Sequence, residues 1–106
     1  MKELEKEFHI KMTEIYDKAK AEIGYNAGRF KQIVNTNGGI KAAKILLGEK
    51  VTPIGFVELS ARHRPDLTME ALIVENPKFQ ELFTEAAIKV AKKRLRDVKY
   101  IPKMKY

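Results

Sequence analysis

The sequence contains no cysteine and no tryptophan, and only two histidines. The absence of cysteine excludes disulfides, thiol nucleophiles and cysteine-ligated zinc. Neither histidine has a second histidine at metal-ligand spacing, so no metal and no other cofactor is expected. Also missing are the phosphate-cradling G-x-x-x-x-G-K-[ST] loop, the dinucleotide fingerprint G-x-G-x-x-G, the zinc-protease H-E-x-x-H and the nucleophile elbow G-x-S-x-G. The residues therefore make no positive case for an enzyme. No apolar run approaches the length of a membrane span, and no membrane contact is expected. Residues 1–10 alternate acids with bases, lack the apolar core of a secretory signal and include Glu3, Glu5 and Glu7, which disfavour a mitochondrial presequence. Cytoplasmic residence is the expectation.

What is present suits one soluble domain. The chain has 106 residues, 44% hydrophobic and 33% charged. Area scaling gives it roughly 6,000 Å² of surface when folded, enough to enclose a real core. The net charge of +7 is unevenly placed. Residues 1–83 carry 13 basic and 12 acidic side chains, residues 84–106 carry 8 and 2, and the charge divides as +1 and +6. Any electrostatic function belongs at the C-terminal end.

Apolar spacing predicts an all-α protein, a compact bundle of five to six helices with short connections over residues 1–100, followed by a flexible tail over 101–106. Leu4, Phe8, Met12, Ile15, Ala19 and Ile23 recur at three- and four-residue steps and predict a long amphipathic helix ended at Gly24. Phe30, Ile33 and Val34 mark a second helix, and Ile40, Ala43, Leu46 and Leu47 a third, with Gly38 and Gly39 between them. Thr52 followed by Pro53 reads as an N-cap and first-turn proline, opening a fourth helix with Ile54, Val57 and Ala61 on its inner face. Thr68 and Thr84 are candidate N-caps, flanked by the staple pairs Leu67 with Leu72 and Phe83 with Ile88. Ile88, Ala91, Leu95 and Val98 form the apolar stripe of the final helix, which should run to about Lys99.

On that helix Lys89, Lys92, Lys93, Arg96 and Lys99 spread over roughly 20° to 140° from Ile88, at about 100° per residue. A stripe of this kind can follow a phosphate backbone with salt-dependent affinity, so DNA or RNA is one candidate partner, and an acidic protein or, against the expectation of no membrane contact, an anionic lipid surface is another. The competing explanation is a solvated face that complements the helix dipole. Residues 30–48 also admit a helix-turn-helix reading, with Lys41 and Lys44 facing the groove. That reading leaves Asn35 and Gly48 where apolar residues belong, and a plain αα-hairpin competes with it. The densest polar cluster is Arg62, His63, Arg64 and Asp66, with Glu58 upstream. It can bind an anion, or supply an acid and base if the chain is an enzyme after all, while a solvated loop with Arg64 paired to Asp66 is the alternative. A protein-interaction or self-associating scaffold domain, hence a homo-oligomer, is the second functional expectation.

The blocks Gly24-Tyr25-Asn26-Ala27-Gly28-Arg29-Phe30, Gly38-Gly39-Ile40 with Ala42-Ala43-Lys44 and Leu46-Leu47, Asp66-Leu67-Thr68-Met69-Glu70-Ala71-Leu72, and Leu82-Phe83-Thr84 ahead of Arg94-Leu95 share an order. Together they resemble a small bacterial all-α domain of uncharacterised proteins, whose pattern reads G-Y-x-x-x-R-F, G-G-x-x-A-A-K-x-L-L, D-L-T-x-E-A-L and L-F-T. The resemblance covers about Phe8 to Tyr100. It implies no established activity, but a module that occurs alone or attached to a larger bacterial protein. It singles out Tyr25, Arg29, Arg64, Asp66 and Glu70 as either a shared polar site or shared caps and buried ion pairs. Pro65 departs from the pattern, which has an apolar residue there.

Overall fold

A computed structural model describes residues 2–105. Helix α1 (Lys2–Ile23) buries Phe8, Met12, Ile15 and Ala19 along the predicted stripe. Gly24 ends it with φ +66°, in the left-handed region where only glycine avoids a Cβ penalty. Helix α2 (Gly28–Asn37) and helix α3 (Gly39–Leu47) are joined by Gly38 alone. One linking residue is fewer than the three- or four-residue turn of a helix-turn-helix unit, and α2 and α3 pack against each other. Ile45, a core position under the other reading, is 39% exposed.

Helix α4 (Ile54–Ala61) departs from expectation at both its start and its face. Pro53 rather than Thr52 occupies the cap position, and no side chain caps this helix. Its inner residues are Phe56 and Leu59, whereas Ile54 and Val57 are 59% and 50% exposed and Ala61 is exposed as well. The segment Ile-Gly-Phe-Val-Glu-Leu-Ser-Ala is apolar nearly all round, so spacing alone does not choose the buried side. The larger Phe56 joins the main core, and Leu59 joins a smaller cluster with Ala19 and Leu67.

A 3-10 turn (Pro65–Leu67) leads into helix α5 (Met69–Glu75), a two-turn helix buried on almost every side. Helix α6 (Pro77–Gln80) is a single turn, and helix α7 (Glu85–Asp97) closes the bundle. Among the described residues the chain is thus all-α, with seven α-helices and no strand. Thr68 caps α5 by accepting from the Ala71 N–H at 3.1 Å, and Thr84 caps α7 by accepting from the Ala87 N–H at 3.1 Å. Phe8 is the hub of the core, meeting Phe79 and Phe83 edge-on at ring-centroid distances of 5.2 and 5.4 Å. The radius of gyration, 12.5 Å, is close to the roughly 13 Å of a compact domain of this length.

Helix α7 stops at Asp97, two residues short of expectation, and Val98 is 37% exposed rather than part of the inner stripe. The chain turns there through Lys99 at φ +60°, with the Lys99 N–H on the Arg96 carbonyl at 2.9 Å and the Tyr100 N–H on the Leu95 carbonyl at 3.0 Å. His63, at φ +64°, ends α4 the same way, with its N–H on Ser60 and that of Arg64 on Leu59. Both are left-handed helix ends held by a residue that carries a Cβ. Lys99→Gly and His63→Gly are each expected to raise stability by about 1 kcal/mol. Urea denaturation reads the shift, and a lower midpoint in either variant would contradict the strain argument.

Beyond α7 no helix occurs among the described residues, and Lys103 and Lys105 are tied to α5. The buried Glu75 carboxylate accepts from the Tyr100 hydroxyl and from the Lys103 N–H at 2.9 Å, and its carbonyl accepts from the Lys105 N–H at 2.6 Å. Partial burial and the bond to Glu75 both push the Tyr100 hydroxyl pKa above its ordinary value. Residue 106, the end of the expected flexible tail, lies outside the described residues.

Candidate nucleic-acid interface

The cap at Thr84 fixes where α7 begins, and its packing fixes how it is turned. Ala91, Arg94 and Leu95 face the core. At about 100° per residue, Lys89, Lys92, Lys93 and Arg96 then lie on the side opposite Ala91, and all four are exposed. Lys93 is paired with Asp97 at 2.8 Å, one turn on. Among the described residues, no carboxylate lies within 4 Å of the Lys89, Lys92 or Arg96 charge. Three unneutralised cations thus project from one rigid crest.

Lys99 does not share this crest. Its left-handed turn carries it off the helix, and it lines a separate concavity with Lys18, Lys103 and Lys105. The physical reason is local: α7 ends two residues earlier than the stripe requires, so the angular projection fails at its last member.

Arg94 has a different role from its basic neighbours. Its side chain is 8% exposed, and its Nη1 donates to Glu70 Oε2 at 2.8 Å. Its Nη2 donates to the carbonyls of Leu46 at 3.2 Å and Glu49 at 3.3 Å. It therefore neutralises a carboxylate on α5 and satisfies carbonyls at the end of α3 together. Burial pushes the Glu70 carboxyl pKa upward, opposed by the bond from Arg94. Position three residues after Ala91 marks Arg94 as near the inner face, but its partner Glu70 on α5 has no local signal.

The other polar candidates divide into separate groups. Arg64 bonds Asp66 at 3.0 and 3.1 Å and reaches Glu22 on α1 at 2.8 Å, so its charge is committed to two acids. Arg62 lies 3.7 Å from Glu58 and stacks over the Tyr25 ring at 5.1 Å. Partial burial and the Glu58 charge raise the Tyr25 hydroxyl pKa, so its proton is held. Arg29 makes a two-pronged pair with Glu49. That pair raises the arginine's pKa and lowers the acid's. His63 is exposed at its helix end. His63, Arg64 and Asp66 line the same concavity as Lys99, whereas Arg62 stands apart from it against Glu58 and Tyr25. Tyr25, Arg29 and Glu70 do line a common cavity of about 50 Å³ behind α4, whose other walls are mainly apolar.

His9 occupies a structural position, its Nδ1 accepting the Gly39 N–H at 3.0 Å at the start of α3. Among the described residues no group of three histidine, aspartate or glutamate side chains is placed to hold a metal ion. No helix among them is long and apolar enough to cross a membrane. Compared with protein families, curated proteins and solved structures, the chain matches none.

Proposed function

We propose that this protein is a non-catalytic nucleic-acid-binding module that holds phosphates on the outer face of α7. The observation that carries the reading is the crest of Lys89, Lys92 and Arg96, three exposed cations with no carboxylate within 4 Å among the described residues. A helix packed by Ala91 and Leu95 fixes the backbone positions of these charges, so little backbone freedom is lost on binding. The near-neutral body adds little competing field, because the excess charge lies in residues 84–106. Phosphate neutralisation releases condensed counterions, which supplies most of the affinity of such a surface.

Fluorescence anisotropy of a labelled duplex, measured across a salt series, tests this directly. The logarithm of affinity should fall with the logarithm of salt at a slope of about −3, as expected for three to four phosphate contacts. The charge-reversed double variant Lys92→Glu/Arg96→Glu should bind at least about tenfold more weakly, with the slope reduced by roughly 2. Affinity that ignores salt, or a double variant that binds as well as the parent, would overturn the proposal.

A further inference from the structure

Beside the crest runs a groove of about 770 Å³, bounded by α7 on one side and by the end of α3 with the following loop on the other. Its rim carries Lys44, Lys50 and Lys93, all exposed, and Leu47, Phe83 and Val90 line it between them. Of the acids that share the groove, Glu49 is held by Arg29 outside it, and Asp97 pairs with Lys93 on the rim itself, which leaves Lys44 and Lys50 as the uncommitted rim cations. Lys44 and Lys50 have no carboxylate within 4 Å among the described residues. Cations along the edge and apolar surface with an aromatic ring below is an arrangement for a polyanion that also offers apolar faces.

The geometry points to a single strand of nucleic acid as the occupant of this groove, its phosphates on Lys44 and Lys50 and its bases against the half-buried Phe83 and Val90. The inference rests on the reading of α7 as a phosphate-binding helix and specifies its substrate class. A single strand presents unstacked base faces, which a duplex keeps within its own stack, so only the single strand gains from the apolar floor. A duplex is convex and reaches the crest of α7, but its bases do not enter a concave groove. Lys93 stands on both surfaces, at the groove rim and beside Lys89 and Lys92, so a strand leaving the groove passes onto the crest.

The test compares short labelled single strands, of DNA and of RNA, with the matching duplex at one salt concentration. The parent protein, Lys44→Glu/Lys50→Glu and Lys92→Glu/Arg96→Glu are measured side by side, with circular dichroism confirming that each is folded. The parent should bind one or both single strands about tenfold more tightly than the duplex, the gain expected from base contact. Lys44→Glu/Lys50→Glu should weaken single-strand binding about tenfold and change duplex binding by less than about twofold. Lys92→Glu/Arg96→Glu should weaken both. Equal affinity for duplex and single strands, or an equal loss for both in the groove variant, overturns the groove assignment. If the crest variant still weakens duplex binding, the phosphate-binding reading survives that result. If neither single strand nor duplex binds the parent at low salt, both readings fall. The DNA and RNA arms identify which single strand is preferred.

Discussion

Arg94→Met should lower the unfolding free energy by about 3–5 kcal/mol, the largest loss expected from a single charged side chain in this protein. The variant keeps the approximate length and apolar stem of the side chain while removing its donors. Glu70, whose side chain is 3% exposed, then stays in the core with no cation beside it. The carbonyls of Leu46 and Glu49 lose a donor in the same step. Part of the loss is moderated because Glu70 can take up a proton, the direction in which burial already pushes it. The double variant Glu70→Met/Arg94→Met should recover most of the lost stability, because a well-packed apolar pair often matches a buried ion pair. Arg94→Lys should not rescue fully, since an ammonium lacks the planar fork that serves α5 and the end of α3 together. Urea denaturation of the three variants measures this. A loss below about 1 kcal/mol in Arg94→Met would show that the pair does not hold these helices together.

Gly39→Ala should destabilise by about 1–3 kcal/mol, although alanine is the better helix former. A Cβ at position 39 would stand 2.8 Å from the Cα of His9. The obstacle is backbone in the middle of α1, so relief requires moving one helix against the other. Movement also threatens the bond from the Gly39 N–H to His9 Nδ1. Gly55→Ala is the contrasting case. Position 55 lies within α4, and a Cβ there meets nothing within 4 Å. The same substitution should stabilise by about 0.5–1 kcal/mol at that site. Thermal unfolding of both variants reads the comparison. Stabilisation by both would show that α1 and α3 do not approach as closely as the structure has them.

These two effects also mark how far the sequence could be read. Gly39 was identifiable as a helix-boundary glycine, but its close approach to His9 joins residues thirty positions apart and has no local signature. In the sequence Arg94 is one member of the C-terminal basic excess, with no partner marked for it. Its distinction from Lys92 and Lys93 lies in a rotation of the helix, which Ala91 and Leu95 fix, and in Glu70 on another helix. The caps at Thr68 and Thr84 were legible because a threonine hydroxyl and an N–H three residues on make a local bond, independent of the rest of the fold. The inner face of α4 was not, because a short helix with apolar residues on every side offers no moment to orient it.

The candidate interface divides along the same line. Lys89, Lys92, Lys93 and Arg96 were placed together by helical spacing, and their exposure follows once the core side is known. Lys99 was lost from that group because a left-handed turn intervened. The groove rim was beyond sequence reach, as Lys44 and Lys50 come from α3 and its following loop and meet Lys93 only in the folded chain.

By itself, then, the sequence determined the helical class, most of the helices, two of the caps and the location of the excess charge. Each of these depends on interactions within a turn or two of chain, or on composition. The tertiary structure decided which side of α4 is buried, which arginine is a core strut and which cations border a groove. Those depend on contacts between distant segments, whose geometry is set by packing rather than by local spacing.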